Sequence, residues 1–142
     1  MLSYVLDTDV MVAALRSQHG ASRQILMAAL ERQFRLLVSV PLLLEYEAVF
    51  KRSEHLTASE FNDIRIERLL DDLVDVAVPA GEGFRWRMPI TDANDVMVLE
   101  AAINGGADAI VTFNVRHFAR ASKNYRLRII LPRQALQEIR EG

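Results

Sequence analysis

The chain opens on a short apolar run, Leu2–Leu6, that stops abruptly at Asp7. A run of that length, bounded by a polar residue, predicts a buried strand. A short helix is predicted around Val10–Leu15. A clearer one covers Ala21–Arg32, where Ile25, Leu26, Ala29 and Leu30 recur on one face. "RLLVS" (Arg35–Ser39) reads as a second strand. Ser39 and Pro41 then suit the start of a helix that runs through Leu44, Ala48 and Val49. "TASE" (Thr57–Glu60) has capping-box spacing and predicts a helix to about Asp72. "LVDVAV" (Leu73–Val78) reads as a third strand, ended by Pro79 and Gly81. Thr91 or Asp92 caps a helix to about Asn104, and Gly105-Gly106 stops it. "DAIVT" (Asp108–Thr112) and "RLRIIL" (Arg126–Leu131) give the fourth and fifth strands, and Pro132 opens a last helix.

Strands that alternate with helices imply crossover connections. The expected class is therefore α/β, a mainly parallel sheet of four to five strands covered on both faces. The length of 142 residues suits a single domain over 1–142, and the chain shows no repeat, low-complexity tract or linker.

That arrangement places acids. In an open parallel sheet, ligands bind outside the carboxyl ends of the strands, near the topological switch point. Asp7 ends the first strand, and Thr112 and Asn114 end the fourth. Glu45 lies about two turns into the helix after the second strand, and Asp92 and Asp95 open the helix that feeds the fourth. Folding would gather them on one edge. Clustered carboxylates repel one another and favour protonation. A divalent cation with hard oxygen ligands, magnesium or manganese, removes that cost and can drive phosphodiester chemistry. Each acid also has a plainer use. Asp9 suits the cap of the first helix, Asp92 and Asp95 suit the cap and first turn of theirs, and Glu45 and Glu47 suit a solvated face. Asp7 is the hardest to assign to structure alone. The three histidines, His19, His55 and His117, have no ligand spacing.

Composition narrows the field. Hydrophobic residues make up 51% and charged residues 25%, as in an ordinary globular domain. With no cysteine, disulfides, thiolate catalysis and cysteine zinc sites are excluded. Asp7 breaks the first apolar run, so no signal peptide or membrane span is expected, and a cytoplasmic location is. The net charge of -2 gives no global basic excess. From Asp108 to Glu138, however, no acid intervenes among Arg116, His117, Arg120, Lys123, Arg126, Arg128 and Arg133. That interval suits either a phosphate-binding surface or a solvated face. Of the 17 basic residues all but Lys51 and Lys123 are Arg, the residue suited to bidentate phosphate contacts.

"YVLDTDVMVAAL", "LLVSVPLLLEYEAVF" and "FRWRMPITDANDVMVLEAAINGGADAIVTFNVRHF" resemble, in order, signature stretches of the PIN domain family. The likeness is to the VapC-like ribonucleases, toxins of bacterial toxin–antitoxin pairs. It implies a three-layer α/β/α sandwich and a metal-dependent endoribonuclease in which metal-activated water attacks the RNA phosphate. By the resemblance Asp7, Glu45 and Asp95 hold Mg2+ or Mn2+, with Asp92 as accessory acid. Thr112 orders the acids, and Asn114 assists through water. Arg116, Arg120, Arg85 and Arg87 are the expected RNA contacts. A cognate antitoxin and a homodimer are the expected protein partners. Two positions depart from the pattern. Asn114 stands where many members carry a fourth carboxylate, and His117 where many carry a further Asp.

Two other readings stand beside this one. A PIN-fold module that binds RNA or a protein without cleaving is consistent with Asn114. A haloacid-dehalogenase-like phosphatase would use "LDTDV" as its Asp-x-Asp strand end, with Asp7 as nucleophile, but would need a late Lys. In "FRWRMP" (Phe84–Pro89), Trp86 suits either stacking on a base or covering a sheet edge. The apolar face of "RQILMAAL" (Arg23–Leu30) suits either a dimer contact or the core.

Overall fold

The computed structural model describes residues 1–52, 62–86 and 92–142. In chain order the elements are β1 (Ser3–Leu6), α1 (Thr8–Arg16), α2 (Ala21–Leu30), β2 (Arg35–Val38), α3 (Val40–Phe50) and α4 (Asp63–Val76). There follow β3 (Val78–Pro79), α5 (Ala93–Gly105), β4 (Ala109–Val111), a 3-10 turn (Val115–Phe118), α6 (Ala119–Tyr125), β5 (Arg128–Ile130) and α7 (Pro132–Glu141). The expected α/β/α sandwich is present, with a five-stranded sheet.

The strands lie in the order β3-β2-β1-β4-β5, and every neighbouring pair is parallel. From β1 the chain moves outward through β2 to β3. It then crosses back to β4 on the other side of β1 and moves out to β5. The direction reverses between β1 and β4, so a crevice opens at their carboxyl ends. Their register is close: Leu6 lies opposite Val111, and Asp7 N–H donates to the Val111 carbonyl at 2.9 Å.

Burial explains why these segments fold as they do. Tyr4, Val5 and Leu6 on β1 and Ala109, Ile110 and Val111 on β4 are inaccessible to solvent, as expected for central strands covered on both faces. On α3, Leu42, Tyr46, Val49 and Phe50 form a buried stripe at helical spacing. Ser39 caps that helix by accepting from Leu42 N–H at 3.2 Å, and Pro41 sits in its first turn. The Tyr46 hydroxyl donates to the Leu6 carbonyl and pins α3 to the end of β1. On α2, Ile25, Leu26, Ala28 and Ala29 are buried and Met27 is exposed, so the apolar face of Arg23–Leu30 is spent on the core. Gly106, at φ +64°, ends α5 in the left-handed conformation that glycine adopts most easily.

One element differs from expectation. Leu73–Val78 is not a strand: α4 continues to Val76, and β3 is only Val78–Pro79. Ile66, Leu69, Leu70 and Leu73 are buried along one helical face, so packing of α4 overrides the alternation in "LVDVAV". Pro79 lacks an N–H, which an edge strand such as β3 tolerates. The capping-box stretch Thr57–Glu60 lies outside the described residues. Asn62 caps α4 by accepting from Arg65 N–H at 2.9 Å. Among the described residues no helix is long and apolar enough to cross a membrane.

Candidate active site

Asp7 follows the last residue of β1 and caps α1. It is 1% exposed. Its Oδ1 accepts from Thr8 N–H at 2.7 Å and from Asn94 Nδ2 at 3.3 Å, and its Oδ2 accepts from the Thr112 hydroxyl at 2.7 Å. Burial raises its pKa above the ordinary Asp value. The hydrogen bonds from Thr112, Thr8 and Asn94 work against that rise, while the charge of Asp92 adds to it.

Asp7, not Asp9, is therefore the cap of α1. Asp9 lies in the first turn of the helix and reaches across the crevice to the end of β4. Its Oδ2 accepts from Phe113 N–H at 2.9 Å and Asn114 Nδ2 at 3.1 Å, with the Thr112 hydroxyl at 3.3 Å. Burial, and then the charge of Asp7, push its pKa up to about 6.

The acids of α5 approach from a third direction. Asp92 is the N-cap and accepts from Asn94 N–H at 2.9 Å, so it and not Thr91 caps the helix. Asp95 is buried, and its Oδ2 lies 2.9 Å from His117 Nδ1. Its pKa is raised by burial and by the charges of Asp92 and Asp7, and His117 opposes the rise. Asn94 sits between them and donates to Thr8 Oγ1 at 2.6 Å as well as to Asp7.

Asp7, Asp9, Asp92 and Asp95 thus converge from β1, α1 and α5 on one crevice. Glu45 lies on α3, half-buried, with Arg52 3.9 Å away. Glu47, expected to face solvent, is 47% exposed and pairs with Lys51 at 3.6 Å. Thr112 and Asn114 stand at the crevice, where Asn114 is occupied with Asp9. Arg116 on the 3-10 turn and Arg120 on α6 are exposed. Arg128, part of the same basic interval, is paired with Glu138.

Arg85 is exposed and lies 3.9 Å from Glu100, and Arg87 lies outside the described residues. Trp86 is partly buried against the core, in ring contact with Tyr125 (5.8 Å between centroids) and Phe84 (6.5 Å). The Trp86 backbone N–H donates to Glu100 at 2.8 Å, and the Phe84 backbone N–H donates to Asn104 at 2.7 Å. The segment is clamped to α5, which favours Trp86 as a cover for that edge.

A PIN domain family model matches residues 3–116. The chain belongs to the PIN domain family. The crystal structure of VapBC2 from Rickettsia felis, bound to a DNA fragment from their promoter, has a similar fold. The TM-score is 0.53 at 16% identity, covering 90% of this chain and 97% of that one. No curated protein sequence matches the chain.

Family membership sets the phosphatase reading aside, and the lysines agree. Lys51 is paired with Glu67 at 2.6 Å, and Lys123 is exposed on α6. Three further residues make contacts at the crevice or the end of β1 and have no signature in spacing. His117 has no ligand spacing in the sequence, yet folding places it on Asp95. Asn94 is hidden between two acids in "DAND". Tyr46 sits between Glu45 and Glu47 on a mostly apolar helix, where its hydroxyl is the one available signal.

The donor set can be tested against a divalent ion. Its polar atoms are carboxylate, amide and hydroxyl oxygens, the hard donors that Mg2+ and Mn2+ take. Asp9 Oδ1 and Asn94 Oδ1 are shut from solvent and have no hydrogen-bond partner among the described residues. The mutual repulsion of Asp7, Asp92 and Asp95 is the kind a cation relieves. These residues fit. Among the described residues no three His, Cys, Asp or Glu side chains are grouped closely enough to hold a metal ion by themselves.

Proposed function

We propose that this PIN domain is a divalent-metal-dependent endoribonuclease and the toxin of a type II toxin–antitoxin pair. The observation that carries the reading is the convergence of buried Asp7 and Asp95 on the crevice between β1 and β4. Two buried carboxylates with raised pKa values serve the stability of the empty fold poorly, and they serve a cation well.

Asp7, Asp95 and Asp92 are the residues proposed to hold the ion, with Glu45 as a fourth acid from α3. A bound Mg2+ or Mn2+ supplies Lewis-acid polarisation of a phosphodiester and a water of lowered pKa. The chain's own part is positioning. Thr112 orients Asp7 by donating to Oδ2, and His117 holds Asp95 at Oδ2. Asn94 ties α5 to the start of α1 through Thr8 and Asp7, which keeps the acids in register. Arg116, Arg120 and Arg85, all exposed, are proposed to contact backbone phosphates, and so is Arg87, which lies outside the described residues.

The fold it shares with VapBC2 supports an antitoxin as partner, and a homodimer is proposed on the family resemblance, since the apolar face of α2 is used by the core. The function is tested with purified protein and single-stranded RNA. Cleavage is expected with Mg2+ or Mn2+, absent in excess chelator, and absent in Asp7→Asn. RNA that is bound but never cut, under any divalent ion, would instead identify a binding module.

A further inference from the structure

Resting on that reading, one residue changes place in it. The β4 end carries Asn114 where the family resemblance leads one to expect a carboxylate. The Asn114 amide is turned to Asp9, donating from Nδ2 to Oδ2 at 3.1 Å. Phe113 N–H and the Thr112 hydroxyl converge on the same oxygen, at 2.9 and 3.3 Å. Three donors crowd one oxygen while the other, Oδ1, is shut from solvent and has no partner among the described residues. The nearby Val10 N–H donates to the Asp7 carbonyl at 3.1 Å and only favours the Asp9 charge from its position in the same turn, without forming a regular hydrogen bond to Oδ1. A buried carboxylate oxygen left without a donor is costly unless a cation approaches it. Asp9 also shares the Thr112 hydroxyl with Asp7, so the two carboxylates lie side by side in the crevice.

We propose that Asp9 supplies the site with the carboxylate that Asn114 lacks, and that Asn114 is the positioning residue that holds it. Residues 9 and 114 touch, so two carboxylates there would repel at close range. The pair carries one acid, in the first turn of α1 and not at the end of β4. The amide left at 114 then orients that acid in place of competing with it.

The test is Mn2+ binding by titration calorimetry, with RNA cleavage measured in parallel. It uses the full chain as wild type, Asp9→Asn and the exchange Asp9→Asn/Asn114→Asp. Removing a ligating charge should weaken Mn2+ binding by about tenfold or more, and the exchange should return it to within about threefold of wild type. Thermal melts without metal show whether each variant is folded, and the exchange variant decides the matter if Asp9→Asn is not. Asp9→Asn that binds Mn2+ as wild type does, or an exchange that restores nothing, overturns the inference and leaves Asp7 and Asp95 untouched. Wild type that takes up no Mn2+ overturns the metal reading and this inference together.

Discussion

The Thr112 hydroxyl donates to Asp7 Oδ2 at 2.7 Å and accepts from Asn114 N–H at 2.9 Å. One buried side chain thus closes the crevice between β1 and β4, fixing a carboxylate on one side and the backbone on the other. Thr112→Val keeps the shape and removes both bonds. It leaves a buried carboxylate oxygen short of a donor, so a loss of about 1–3 kcal/mol is expected. Chemical denaturation measures it. Equal stability of the two proteins would show that the hydroxyl orders nothing.

Asp7→Asn should act in the opposite sense on the metal-free protein. Burial and the charge of Asp92 both disfavour the Asp7 carboxylate, so a neutral isostere relieves repulsion: its oxygen keeps the Thr8 and Asn94 donors, and its amide donates to the Thr112 hydroxyl, whose proton turns to Asp9. The expected result is a metal-free melting temperature equal to or above wild type, with cleavage abolished. A large drop in melting temperature would assign Asp7 to structure instead.

Much of this arrangement is legible in the sequence, for stated reasons. Asp7, Thr112 and Asp95 lie at the ends of elements whose apolar runs are unambiguous, and strand ends in a parallel sheet are where sites form. What was not legible depended on contacts between distant segments. The cap of α1 shifted from Asp9 to Asp7 because Asp9 finds better donors at Phe113 and Asn114, 104 and 105 residues away. His117 had no helical or strand spacing to any acid, since its partner Asp95 is brought to it by the crossover from α5 to β4. Leu73–Val76 satisfied a strand pattern locally and a helical stripe only together with Ile66 and Leu69.

Tyr46 offers a test of how α3 is held. Its hydroxyl is fully buried, and burial together with the nearby Asp7 charge keeps it protonated far above the usual range, able to donate to Leu6. Tyr46→Phe strands that carbonyl. A loss of about 1–2 kcal/mol is expected, read as a melting temperature lower by a few degrees. Cleavage should fall as well, because α3 carries Glu45 beside it. An unchanged melting temperature would mean that packing alone seats the helix.

At the other end of the sheet, Glu138 provides a pH signature. Arg128 holds its pKa below the ordinary 4.5, and the Tyr4 hydroxyl donates to it at 2.7 Å. A lowered folded-state pKa means stability that is present above 4.5 and lost as pH falls through the lowered value. Glu138→Gln should therefore cost stability at pH 7 and progressively less below pH 4.5. Parallel stability curves for the two proteins across that range would remove the pair from the account.

Asn114→Asp isolates the cost of two acids at one place. The new carboxylate replaces a donor 3.1 Å from Asp9 Oδ2, and size hardly changes. Without metal, an attraction becomes a like-charge contact in a partly buried site, so the variant should melt below wild type. Added Mn2+ is drawn to the extra charge, and stabilisation by a ligand grows with its affinity for the folded state. The melting temperature of the variant should therefore rise more steeply along a Mn2+ series and approach that of wild type. Melts of both proteins from metal-free buffer to millimolar Mn2+ measure the two slopes. Identical slopes would place residue 114 beyond the influence of the ion, and an equal metal-free melting temperature would show that Asp9 and residue 114 do not share their charge.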